Sequence, residues 1–214
     1  WLERIVGLSS ERIRVVPDPA VYVPTEDHWH PELREGRTNV ILALNEEDEL
    51  YRWGGTEPTA GEARKERLGR YLAETRFADR AYVPAWRRRR ERFLDGLASA
   101  LARIAREVDL NLIVCAHTFG DLKMTAELFD RIDDTVRQAT VFAPSSLPTH
   151  LGPYFYDLYA KADLAISMRI HSMNPALGLG VPLVPVVSQD RMSAFMTDAG
   201  VGDLCVDALA ADAG

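Results

Sequence analysis

Short apolar runs alternate along this chain with longer stretches in which apolar residues return every third or fourth position. Residues 40–44, 112–116, 140–143, 164–168 and 183–187 are four- or five-residue runs with the length and composition of buried strands. Residues 13–16 form a further short strand before the turn Pro17-Asp18-Pro19. Between the runs, Phe93, Leu97, Leu101, Ile104 and Val108 stand at helical spacing, Met124, Leu128 and Ile132 repeat it, and residues 154–161 read as another helix. Ser172-Met173-Asn174-Pro175 reads as a helix's first turn, because proline needs no amide donor there. Strands alternating with helices of this length predict a parallel sheet with helices on both faces. Residues 46–80 break the pattern with charge and glycine: Gly54-Gly55 marks a turn, residues 60–74 a polar helix, and the whole an exposed excursion. No internal repeat or low-complexity tract appears.

Composition narrows the class. A chain of 214 residues, 47% of them hydrophobic, can bury one sizeable core with a smaller appended subdomain. A formal charge of −7 argues against a nucleic-acid surface, although local basic patches remain open. Residues 87–90, all arginine, begin the long helix and cover every side of one turn, which fits a solvated face or a contact with acidic lipid or another domain. Cys115 and Cys205 lie in apolar, strand-like segments, where reduced core thiols are expected, and a reducing cytoplasm suits them. No apolar run approaches the roughly 18 residues that span a bilayer, and no signal peptide opens the chain. Trp1 begins in what reads as a helix already under way, so the chain is expected to be a fragment. Residues 1–37 are then an incomplete N-terminal segment or interdomain connection, and residues 38–214 a ligand-binding domain.

The strand over residues 164–168 ends in chemistry. Arg169 and His171 follow its apolar residues directly, beside the predicted helix N-terminus. Ligands of open α/β sheets bind at the strands' C-terminal edge, and a helix N-terminus offers amides and partial positive charge to a phosphate or carboxylate. An anion site is expected, against the plainer reading of Arg169 as a salt-bridging residue and His171 as a cap. Arg191 follows the strand 183–187 to the same edge, as do His117 and Asp121 after the strand 112–116. For His117 and Asp121 a supporting or acceptor-binding role competes with that of a loop histidine and a helix-capping aspartate. His28-Trp29-His30 has H-x-H spacing but no cysteine or carboxylate cluster to complete a metal shell, so no metal is expected. Tyr154, Phe155, Tyr156 and Tyr159 read mostly as core, with one available to stack on a sugar ring.

Residues 163–202 resemble the C-terminal signature of the polysaccharide pyruvyl transferase family. The matching parts, in order, are Ala162-Asp163, the S-x-R-x-H segment Ser167-Met168-Arg169-Ile170-His171, the A-x-x-x-G-x-P turn from Ala176 to Pro182, Arg191, and Gly200-Val201-Gly202. The first half of the chain fits in pattern more than in residues. The resemblance implies a Rossmann-like α/β domain corresponding to the C-terminal half of a GT-B fold, facing an acceptor-side half that is largely missing here. It implies transfer of an enolpyruvyl group from phosphoenolpyruvate to two hydroxyls of a sugar, lipid-linked or nucleotide-linked, with no cofactor.

Phosphoenolpyruvate carries a phosphate and a carboxylate, so the implied site needs cations. Arg169 can clamp a planar anion bidentately, which lysine cannot. His171, with an ordinary pKa of about 6.5, can protonate the methylene carbon or accept the acceptor's proton. Substrate contacts are expected from Ser167, Ile170, Arg191, His117 and Asp121 as well. The family commonly has lysine at the position of Arg191, and arginine keeps the charge. It often has arginine at the end of the strand corresponding to residues 40–44, where this chain has Asn45-Glu46-Glu47, an acidic pair unfavourable beside an anionic donor; either Arg52, the nearest candidate, bends back to meet the donor or the donor site differs from the family's. Two readings from other classes stand beside this one: a GT-B glycosyltransferase using a nucleotide-sugar donor, and a non-catalytic domain that binds anionic ligands.

Overall fold

The segment Thr-Asn-Val-Ile-Leu-Ala is uninterrupted by charge, and it forms a strand whose residues from Val40 onward are all buried, β1 (Thr38–Ala43). A strand covered on both faces reads as such a run, rather than as alternation. The computed structural model describes residues 22, 24–45, 85–144, 152–188 and 190–208. After β1 come α1 (Ala85–Glu107), β2 (Leu110–Val114), α2 (Phe119–Phe129), α3 (Asp134–Gln138), β3 (Thr140–Phe142), α4 (Gly152–Ala160), β4 (Leu164–Ser167), α5 (Ile170–Gly178), β5 (Leu183–Val187), α6 (Asp190–Asp198), a 3₁₀ turn (Gly202–Leu204) and β6 (Val206–Asp207). The strands pair in the order β3-β2-β1-β4-β5-β6, every pair parallel. This is a Rossmann-like α/β architecture, as the alternation of runs predicts.

Successive residues of each strand serve opposite faces. Val40, Leu42, Leu112 and Ile166 pack against Leu94, Ala98 and Leu101 of α1 and Met124 and Leu128 of α2. Ile41, Ile113 and Ala165 pack against Phe155, Leu158 and Tyr159 of α4 and Ala176 of α5, while Val187 meets Met173, Met192 and Met196. Each fully buried Leu, Ile or Phe contributes roughly 1.5–3 kcal/mol, so these two layers supply the main stabilisation. The chain leaves β1 toward β2 on one side and returns to β4 on the other. The sheet therefore has its topological switch point between β1 and β4, where open α/β sheets bind ligands.

Both helices after β4 end in the same way, and this accounts for part of the signature. Val181 N donates to Ala176 O at 2.8 Å and Gly180 N to Leu177 O at 3.2 Å; Val201 N and Gly200 N repeat the arrangement on Met196 O and Thr197 O, each at 2.9 Å. These are Schellman ends, which want glycine in the left-handed region, and Gly180 and Gly200 have φ of 70° and 76°. Gly202 is needed for another reason, since a Cβ there would lie 2.8 Å from Thr197 Oγ1. Asp163 is structural too: its Oδ2 accepts the Asn39 amide at 2.7 Å, tying the start of β4 to β1.

Several expectations need correction. α5 begins at Ile170, so Pro175 lies inside the helix rather than in its first turn. Pro175 cannot give the amide that would close on the carbonyl of His171, and the helix continues through it because Ser172, Met173, Asn174 and Ala176 are buried around it. β2 starts and ends two residues before the apolar run 112–116, although Cys115 N still donates to Leu42 O at 2.9 Å. α2 stops at Phe129, and Ile132 joins the core from the link that follows. Arg90 is not on a solvated face: it is buried and pairs with Glu127 at 3.0 Å. Both cysteines are free thiols, Cys115 buried and Cys205 half-buried. Among the described residues no helix is long and apolar enough to cross a membrane. The strand over residues 13–16, the excursion over 46–80 with its helix, and Arg52 lie outside the described residues.

The residues before β1 are fastened to α4. Asp157 Oδ2 accepts from His30 Nε2 and the His28 amide at 2.8 Å each, and from Lys161 Nζ at 2.9 Å. Tyr154 Oη donates to Glu32 Oε2 at 2.6 Å, and its ring lies 4.3 Å from that of His30. Burial by itself would raise the Asp157 carboxyl, but hydrogen bonds from Lys161, His30 and the His28 amide outweigh it and hold the group at about 2. His30 is thus a buried partner of a carboxylate, and among the described residues no group of three or more His, Cys, Asp or Glu side chains could hold a metal ion.

Candidate functional site

Three loops meet at the switch point: Leu44 and Asn45 after β1, Cys115 to Thr118 after β2, and Met168 and Arg169 after β4. β1 lies between the other two strands, so any bond between the β2 and β4 loops must pass over its end. Among the described residues two side-chain contacts make this crossing, one from Arg169 to the start of α2 and one between His117 and Ser172 of α5.

The first is an ion pair between residues 48 apart. Arg169 Nε donates to Asp121 Oδ2 at 2.9 Å and Arg169 Nη2 to Asp121 Oδ1 at 3.1 Å and Thr118 Oγ1 at 3.2 Å, with both charged residues buried. Asp121 is already committed locally. It is the third residue of α2, and its Oδ2 also accepts the amides of His117 and Thr118 at 2.9 Å each, while the Thr118 hydroxyl accepts the Asp121 amide at 3.3 Å. That reciprocal capping box fixes the carboxylate before Arg169 arrives. The second bond joins His117 Nε2 and Ser172 Oγ at 2.6 Å, and the His117 ring stacks 6.3 Å from that of Phe155.

These contacts redistribute the expected roles. The Arg169 fork grips an internal carboxylate instead of standing open for a ligand, and the pair is neutral overall. Asp121 is a cap at the third helical position and a brace, not the residue that begins the helix. Ser167 Oγ donates to Arg169 O and accepts from Arg169 N, both at 3.1 Å, and is fully buried, so it shapes the turn rather than facing a ligand. Ile170 is half-buried against Met173 and Val187. His171 is exposed at the second position of α5.

The start of α5 carries the electrostatics. Arg169 is its N-cap and makes no side-chain hydrogen bond to the helix, because a guanidinium has no acceptor for an amide; the amides of Ser172 and Met173 go to Arg169 O at 3.0 and 2.9 Å. The amides of Ile170 and His171 therefore lack a side-chain cap at the positive end of a helix dipole. Arg191 is the second residue of α6, just past β5, which brings its backbone to the same edge. Its side chain lies outside the described part.

Sequence reasoning missed three contributors. Thr118 is the cap of α2, legible from Thr-x-x-Asp before an apolar run. Ser172 directly follows His171 in the chain, but no local signal announces its long-range partner. Ser188, one residue past β5, has a buried hydroxyl without a hydrogen-bond partner among the described residues. Comparison with family models, curated protein sequences and solved structures finds no match to this chain. The resemblance of residues 163–202 therefore stands on its own residues.

Proposed function

We propose that this chain is the donor-binding domain of a pyruvyl transferase that moves an enolpyruvyl group from phosphoenolpyruvate to a sugar. One observation carries the reading: within the S-x-R-x-H segment His171 alone is exposed, on the first turn of a helix without a side-chain cap, at the switch point of the sheet. The amides of Ile170 and His171 suit a phosphate or carboxylate oxygen. Arg169, braced by Asp121, fixes the turn that presents them. Because Asp121 offsets its charge, the cations for a multiply charged donor are left to Arg191, after β5, and to Arg52, the candidate by sequence position after β1. His171 in its protonated form gives a proton to the methylene carbon as an acceptor hydroxyl adds to C2 of the donor and releases its own proton to a base. A second hydroxyl then attacks C2, and phosphate leaves with that hydroxyl's proton, closing the ketal. Cytoplasmic action would suit a donor of central metabolism.

A nucleotide-sugar glycosyltransferase of the GT-B type is the second reading, favoured by the strand order 3-2-1-4-5-6 that dinucleotide-binding domains share. Thermal unfolding with each donor class separates the two. Protection by phosphoenolpyruvate and not by UDP-sugars supports pyruvyl transfer; protection by UDP-sugars alone supports the other.

A further inference from the structure

We propose that His117 is a second proton-transfer residue of the same site, held in place for that task by Ser172. The inference rests on the donor-site reading above. His117 belongs to the β2 loop, and its partner Ser172 stands one residue after His171 on α5, so the bond between them carries the His117 ring to the helix turn that bears His171. Three anchors fix the residue: Ser172 on Nε2, the Phe155 ring against its face, and Asp121 on its backbone amide. Ser172 is fully buried whereas His117 is half-buried, so the ring is gripped from the interior and stays partly open at the strand ends.

The choice of partner matters. With Nε2–H donating to the Ser172 hydroxyl, Nδ1 is left as the nitrogen that takes a proton, and the same bond holds the ring in both states. The hydroxyl also brings no charge that would commit the ring to the cation. Asp121, which holds the His117 amide, and Arg169, which pairs with it, offset each other, and Tyr159 of α4 stands beside Ser172. Ketal formation needs two proton movements at once: one onto the methylene carbon and one off the acceptor hydroxyl. A single histidine cannot hold and lack a proton in the same step. Neutral His117 takes the proton of the acceptor O–H as its oxygen bonds to C2, while protonated His171 gives its own to the methylene carbon, which becomes methyl. Solvent then returns His117 to neutral and His171 to the cation, so protons balance over the cycle.

Histidine ring resonances of the full chain, followed by NMR during titration with phosphoenolpyruvate, test this. The expected result is that His171 and His117 both shift, that Ser172→Ala abolishes the His117 response while sparing that of His171, and that Ser172→Thr restores it. His117→Gln should lower kcat by about 10²- to 10⁴-fold and remove one limb of the pH profile while leaving donor-induced thermal protection in place. A His171 shift with an unmoved His117 overturns the inference and leaves the donor site standing. Movement of neither ring overturns the donor site itself.

Discussion

Asp121 grips Arg169 with both carboxylate oxygens across the end of β1, joining two loops that are 48 residues apart in the chain. In an open α/β sheet that end is the crevice, so this buried pair forms part of its floor. Breaking one side of a buried ion pair typically costs about 3–5 kcal/mol because the other charge is left unmatched. Asp121→Asn and Arg169→Met are each expected to fall in that range, a drop in Tm of roughly 2–4 °C per kcal/mol for a chain of this size. The double variant should lose less than the sum of the two. Single losses under about 1 kcal/mol, the value of an exposed pair, would show that the brace does not form in solution.

The glycines of the signature separate two physical causes. Gly180→Ala meets open space but a φ of 70°, so the loss should be about 1–2 kcal/mol from backbone strain alone. Gly202→Ala has an ordinary φ but sets a methyl 2.8 Å from Thr197 Oγ1 and 3.2 Å from Thr197 Cα. Thr197→Ser removes a methyl but neither of those atoms, so it should not rescue the Gly202 variant. Chemical denaturation of the three variants checks both statements.

Asp157 makes the fold sensitive to acid. Its carboxyl is lowered from 3.8 to about 2 by Lys161, His30 and the His28 amide working against burial. A depressed folded pKa means that its contribution is complete above about 4 and is lost as pH falls toward 2. Stability measured from pH 5 to pH 2 should therefore decline, and Asp157→Asn should flatten that decline while lowering stability at neutral pH. An unchanged slope in the variant would place the acid sensitivity elsewhere.

Five of the six strands among the described residues are legible as apolar runs: β1, β2, β4 and β5 because strands inside a parallel sheet are covered on both faces, and β3, at the edge with Phe142 exposed, through its apolar residues alone. The two residues of β6 are too few to leave a pattern. The local meaning of a first-turn proline at Pro175 sets the start of α5 too late, because burial of the neighbouring residues holds the helix around it. At the site, Arg169 and His171 are legible as residues at a strand's end. The partner of Arg169 is not, since a preference for Asp121 over a ligand arises from contacts between distant segments. For the same reason Arg90 reads as one of four surface arginines, yet it pairs inside with Glu127.

His171 separates proton transfer from binding. His171→Ala should lower kcat by about 10²- to 10⁴-fold with little change in phosphoenolpyruvate affinity, and His171→Gln should be nearly as slow, because glutamine cannot titrate near neutrality. Weakened affinity that glutamine partly restores would make His171 a phosphate ligand instead.

The most direct measurement is calorimetric and thermal titration of the chain with phosphoenolpyruvate and with UDP-glucose, side by side. Phosphoenolpyruvate should bind, and at about 100 times its Kd should stabilise the fold by roughly 2.7 kcal/mol. UDP-glucose should do neither. Binding and protection by UDP-glucose, with none by phosphoenolpyruvate, would contradict the assignment of this sheet edge to a pyruvyl donor.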